Sequence, residues 1–147
     1  MKGGRFMEKE TSVVRLEAIV DAPIDIVWDC FTKPWHITKW NHASDDWHSP
    51  FAQNDLYVGG KFNYRMEEKN GTIGFDFTGS YDAINDQEFI AYTLDDGRKV
   101  EIFFYPIGND TKIIQTFETE HTFPREMQEQ GWNSILQNFK LYVESIK

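Results

Sequence analysis

The sequence predicts an α+β domain in which a curved antiparallel sheet wraps around one long C-terminal helix. Three observations carry that prediction. Between Gly59 and Thr119, short apolar runs with period-two alternation succeed one another across tight turns. Such turns force antiparallel pairing, because parallel neighbours need a long crossover. From Trp132 to Ile146, apolar residues recur at spacings of three and four, the mark of an amphipathic helix. Only the sheet offers enough apolar surface to cover that helix.

The first strand is read at Val13–Val20, where Val14, Leu16, Ala18 and Val20 share one face and Arg15 and Glu17 the other. Asp21-Ala22-Pro23 breaks it. Pro23 suits the start of a helix, since its missing N–H has no helical partner there. Ile24, Val27, Trp28 and Phe31 continue as a short amphipathic helix that ends before Pro34. A second short helix is expected at about Trp35–Trp40. Asn41 to Asn54 reads as loop, because Asp, Ser, Pro and Asn are scattered among Trp47 and Phe51.

Gly59-Gly60 opens the sheet proper. Phe62, Tyr64 and Met66 alternate with Lys61, Asn63 and Arg65, and Asn70-Gly71 is a hairpin signal. In the next strand Ile73, Phe75, Phe77, Tyr81 and Ala83 take one face, while Asp76, Thr78, Ser80 and Asp82 take the other. Gly79, within it, marks a bulge or bend that lets the sheet curl. Ile90, Tyr92 and Leu94 follow after Asn85-Asp86, then Val100, Ile102 and Phe104 after Asp95-Asp96-Gly97, then a strand at Thr111–Thr119. With the first strand, six or seven are expected. Pro124 opens the final helix, whose apolar face carries Trp132, Ile135, Leu136, Phe139, Tyr142, Val143 and Ile146. Gly131 costs about 1 kcal/mol against Ala in a helix interior. Either a neighbour or cavity stands against it, or it is a tolerated defect near the helix start.

Length and composition set outer bounds. The 147 residues, 40% hydrophobic and 27% charged, suit one globular domain over 13–147 behind a flexible leader at 1–12. A formal charge of −9 repels phosphate backbones and anionic headgroups, so neither nucleic acid nor a membrane is an expected partner. A lone cysteine, Cys30, among Val27, Trp28 and Phe31, reads as a buried, inert thiol in a reducing compartment. No apolar run reaches the length of a membrane span and no signal-peptide core is present, so the expected location is cytoplasmic.

The order of strand, two short helices, sheet and long helix resembles the helix-grip fold of the birch-pollen-allergen and START-like (SRPBCC) superfamily. Asp21-Ala22-Pro23 followed by Val27-Trp28 resembles that superfamily's strand-to-helix entry. Asp55-Leu56-Tyr57-Val58-Gly59-Gly60-Lys61-Phe62, Gly79-Ser80-Tyr81, and Gly131-Trp132 leading to Leu136-Gln137-Asn138-Phe139 and Tyr142-Val143 are similar to the family of heat-shock-protein-90 ATPase activator homologues. The resemblance spans about Val13 to Ser145. It implies a cavity between the sheet's concave face and the long helix, able to take an apolar molecule, and no universal catalytic set. Eukaryotic co-chaperones of the family carry a separate N-terminal domain, for which this length leaves no room.

The candidate ligand-binding residues are Trp40, Phe62, Tyr64, Phe75, Phe77, Tyr92, Phe104, Trp132, Ile135 and Phe139. Aromatic residues reach 16% of the chain, and Tyr64, Tyr92 and Trp132 would place polar atoms inside an apolar hollow. Trp40 and Trp47, between helices and sheet, are candidates for a lid. His36, His42 and His48 stand six apart with Asp45 and Asp46 between the last two. That spacing puts no two ligands on a common helical or strand face, so no metal and no cofactor is expected. His121 follows Glu118 and Glu120, a carboxylate–histidine arrangement suited to a general base at a pocket mouth. Serine-nucleophile and phosphate-cradling signatures are absent. The leading expectation is a non-catalytic protein that encloses a small hydrophobic molecule, as a monomer or homodimer. The alternatives are a cyclase- or hydratase-like enzyme using Tyr64, Tyr92 or His121, and a stress-response protein that engages a chaperone.

Overall fold

The computed structural model describes residues 12–147. It contains β1 (Val13–Val20), α1 (Ile24–Thr32), α2 (Pro34–Trp40), β2 (Trp47–Asn54), β3 (Lys61–Glu68), β4 (Gly74–Asn85), β5 (Phe89–Leu94), β6 (Lys99–Ile107), β7 (Asp110–Glu118) and α3 (Arg125–Ile146). The seven strands form one antiparallel sheet in the order β1-β7-β6-β5-β4-β3-β2. The first strand thus joins the last, the remainder is a meander, and β1 and β2 are the edges. Curled into a half-barrel, the sheet holds α3 on its concave side. Residues 1–11 of the expected leader lie outside the described residues. Ser12 extends the β1–β7 ladder by one step, its carbonyl accepting from the Thr119 N–H at 2.9 Å.

The alternations read from the sequence become burial patterns. In β1 every second residue is buried, with Val14, Leu16, Ala18 and Val20 facing α3. Ile90, Tyr92 and Leu94, then Val100, Ile102 and Phe104, then Ile113 and Phe117 continue that inward face. Leu136, Phe139 and Val143 of α3 are buried against it. Pro23 precedes α1, and its carbonyl accepts the first helical bond, from Val27 at 3.1 Å. Pro34 opens α2, as expected where a missing N–H is harmless. The Trp40 indole N–H donates to the Cys30 carbonyl at 2.8 Å and locks the two short helices together. Cys30 is buried, and burial, reinforced by Asp29, pushes its thiol up to about 11, far from thiolate chemistry at neutral pH.

Two readings are corrected. The segment Asn41–Asn54 is not all loop: Trp47–Asn54 is the edge strand β2, paired with β3. Its register slips between His48 and Phe51, around Pro50, which has no N–H to give a ladder. A strand with a proline bulge and one free edge shows no clean alternation, which is why it reads as loop. The irregularity in β4 lies not at Gly79 but between Tyr81 and Ala83, so that Ile84 and not Ala83 packs on the core. Gly79 has another use, since a Cβ there would come within 2.8 Å of the Phe62 ring. Of the alternatives at Gly131, a crowding neighbour is absent, since a Cβ there meets nothing within 4 Å, and the residue borders open space between α3 and the sheet.

The loop that leads into α3 is held by a residue of the helix's own first turn. Buried Gln128 reaches back, donating to the carbonyls of Glu120 (3.0 Å) and Phe123 (2.8 Å) and accepting from the Glu120 N–H at 2.9 Å. These bonds satisfy backbone groups of the loop that leads into the helix.

Candidate functional site

Beneath the N-terminal half of α3 the sheet and helix separate and leave a hollow of about 370 Å³. Trp40, Tyr64, Phe75, Phe77, Tyr92, Trp132, Ile135 and Phe139, all predicted, lie on its walls. Phe62 and Phe104 do not. Phe62 is buried in β3, its ring centroid 4.8 Å from Tyr92 and 5.0 Å from Tyr64. Phe104 is fixed edge-on between Trp28 and Phe31 at 5.2 and 5.5 Å. Strand parity placed both on the inward face, but parity alone does not tell a wall from the layer behind it.

The walls are rigid where aromatic rings lock together. Trp132 lies flat on Phe117, centroids 4.2 Å apart and 7° from parallel, and meets Phe77 edge-on at 5.8 Å. Helix α3 is thereby tied to β7 and β4 at once. Trp40 is no lid: it stacks on Phe31 at 5.5 Å, meets Phe139 edge-on at 4.9 Å and is buried. Trp47, half-buried at the start of β2, faces Phe75 at 6.0 Å along the rim.

Polar groups on the walls are few. The Tyr81 hydroxyl donates to Asn54 Oδ1 at 2.5 Å, and Asn54 Nδ2 donates to the Thr32 carbonyl at 2.7 Å. This relay ties β4 to β2 and to the end of α1. Burial pushes the Tyr81 phenol up to about 12 and moves Tyr64 and Tyr92 upward as well, with nearby Tyr81 adding to both. Phenols held this way stay protonated and donate hydrogen bonds; they are poor proton acceptors. Asn41, Gln115 and Arg98 also line the hollow. Asn41 is 6% exposed, and its Nδ2 has no hydrogen-bond partner among the described residues.

None of these last three was singled out beforehand. Gln115 shares parity with Ile113 and Phe117, and Arg98 shares parity with Val100, Ile102 and Phe104. A polar residue in phase with an apolar strand face was therefore a usable signal for both. Asn41 ends α2, where no periodicity marks it.

The histidines do not gather. His36 Nδ1 lies 2.6 Å from the Tyr142 hydroxyl, and His48 Nε2 lies 3.7 Å from Glu67. His42 is held below its ordinary value by burial and by Lys69. Among the described residues no three His, Cys, Asp or Glu side chains are placed to hold a metal ion. His121 is exposed and lacks the carboxylate it was expected to use. Glu118 accepts from the Lys99 N–H, and Glu120 accepts from the N–H groups of Thr122 and Phe123, each at 2.7 Å.

Comparison with known proteins places this geometry in a family. Residues 21–144 match the family model described as Activator of Hsp90 ATPase homolog 1-like protein. An AHSA1-like protein from Aeromonas hydrophila, solved in solution, is similar at 37% identity and a TM-score of 0.87, over 91% of this chain and 93% of that one. A protein from Cytophaga hutchinsonii is 46% identical with a TM-score of 0.78, covering 90% and 92%. One from Nitrosomonas europaea, at 19% identity and a TM-score of 0.80 over 92% and 96%, shares the fold. No curated protein matches the chain. With the model matched over most of its length and two close structural relatives, the chain belongs to the Activator of Hsp90 ATPase homolog 1-like family, within the SRPBCC superfamily.

Proposed function

We propose that this protein binds a small, mostly hydrophobic molecule in the hollow between α3 and the sheet, and holds it without transforming it. The observation that carries this reading is the hollow itself: about 370 Å³, walled mainly by aromatic and aliphatic side chains, with few polar groups among them. Pockets for small molecules have that character and run from roughly 300 to 1,000 Å³. The protonated phenols support binding over catalysis. A general base works best with a pKa near the operating pH, and burial moves Tyr64, Tyr81 and Tyr92 the other way. No helix among the described residues is long and apolar enough to cross a membrane. A cytoplasmic location belongs to the same proposal.

The test uses N-phenyl-1-naphthylamine, an uncharged probe whose fluorescence rises in apolar surroundings, together with native mass spectrometry of freshly purified protein. Saturable probe binding that Gly131→Leu abolishes is the expected result, and a co-purified molecule lost on denaturation would supply the natural ligand's mass. Absence of saturable binding together with a clean apo mass would sink the proposal. A second reading, engagement of a chaperone through the acidic surface, draws on the description of the matched family and the charge of −9. Salt-sensitive capture of a chaperone supports it, and no capture at low salt removes it.

A further inference from the structure

Among the described residues the hollow carries one charged side chain. Arg98 lines it, and no aspartate, glutamate, lysine or histidine of the described residues does, in a protein whose net charge is −9. Arg98 immediately precedes β6 and is in phase with the inward-facing Val100, Ile102 and Phe104, so the strand's pleat turns it toward the concave side. Its side chain is only 19% exposed.

The guanidinium is half satisfied. Nε meets both carboxylate oxygens of Asp96, at 2.9 and 3.1 Å, and the Arg98 backbone N–H donates to the same carboxylate at 3.1 Å. The two terminal nitrogens have no partner among the described residues. Asp96 thus holds the guanidinium by its flank and leaves its fork free, and a fork of parallel N–H groups fits a carboxylate two bonds at a time. With the side chain 19% exposed, those terminal donors stay open to an acceptor at the edge of the apolar walls. Elsewhere on the walls the Asn41 Nδ2 is a buried donor without a partner among the described residues.

We propose that the ligand of this hollow is a small amphipathic anion, an apolar body with a carboxylate-type head, and that the Arg98 fork binds the head. The inference rests on the hollow being a ligand site and adds the chemical class of the ligand. The aromatic walls take the body. Asn41 offers a donor to a further acceptor on the ligand. Asp96, itself 53% exposed, orients the guanidinium and moderates its charge.

The experiment is a competition between decanoate and decan-1-ol for the N-phenyl-1-naphthylamine site, at a pH where decanoate is ionised. A charge-assisted bidentate pair predicts that decanoate displaces the probe roughly ten- to a hundredfold better than the alcohol. Arg98→Met should erase the preference while still binding the probe, and Asp96→Asn should increase it. Equal displacement by acid and alcohol in the unaltered protein overturns the anion inference and leaves the hollow as a neutral binding site. Failure of the probe to bind at all overturns both. Should Arg98→Met not fold, Asp96→Asn decides: a preference that falls or stays level in that variant overturns the inference.

Discussion

The two ends of α3 rest on the same sheet with different results. Its C-terminal end lies beside the end of β1, where Glu144 accepts from the Asp21 N–H at 2.9 Å, and there Val143 and Val20 are fully buried. Its N-terminal half, through Trp132 and Ile135, stays partly buried and stands over Tyr64, Phe77 and Tyr92 with space between. Both ends are apolar, and both show the same spacing of three and four. The difference lies in side-chain volume on the sheet and in the flanking helices. Near the C-terminal end, α1 and α2 fill the gap; near the other, Gly131 adds nothing and aromatic rings prop the helix on their edges. A helix-period pattern therefore predicts a covered face, and what covers it is decided by the partner layer.

Substitutions at the two ends should break that contrast in opposite ways. Phe139→Ala removes a fully buried ring packed against Phe31 and Trp40, at the border between the closed end and the hollow. Urea denaturation should show a loss of about 3–5 kcal/mol, the range for truncating a fully buried aromatic. A loss below 1 kcal/mol would mean that the closed end is not the stable one.

Trp132→Ala acts at the open end, where the ring is only partly buried. The expected loss is roughly 1–3 kcal/mol. The larger effect should fall on binding, with affinity for N-phenyl-1-naphthylamine reduced by about tenfold or more. Global unfolding instead would place Trp132 with the structural core and count against the hollow as a site.

Alkaline pH probes the same end without mutation. Tyr64, Tyr81 and Tyr92 have folded values raised by burial, that of Tyr81 to about 12. An unfolded tyrosine ionises near about 10. The unfolded state therefore loses protons first, and the stability due to these residues is full below about pH 10 and declines as the pH climbs through the folded values. Tyrosinate absorbance from these three should appear together with unfolding, while loss of folded signal on acidification should owe nothing to them. Their ionisation in a still-folded protein would show that the hollow is wet.

The smallest effect expected is a gain. At Gly131 a methyl group meets nothing within 4 Å, and Gly131→Ala should stabilise α3 by about 0.5–1 kcal/mol. A loss measured by thermal melting would mean that the helix closes down on the sheet in solution.

Much of the fold was legible because strand parity and helix period survive in a single sequence. The inward residues of β1, β5, β6 and β7 follow from alternation alone, as does the apolar face of α3. Strand β2 was not legible, since Pro50 and a free edge remove the very pattern by which strands are recognised. The candidate site was legible only as a set of aromatics. Sequence parity could place Phe62 and Phe77 on one face but could not tell that Phe62 lies over Gly79 in the packed layer while Phe77 borders open space. Arg98 and Gln115 were recoverable as polar residues in an apolar phase; Asn41 and Gln128 depend on contacts across the fold and left no local trace.

Pro50 has a meaning for the molecule among its own copies. An open sheet offers strangers an unpaired row of donors and acceptors at each border, the usual starting point of strand-by-strand growth between chains. At the β2 border that row is interrupted, because Pro50 supplies no N–H and the slipped register beside it spoils the alignment a newcomer would need. The same irregularity that hid the strand leaves this border a poor template for another chain's strand.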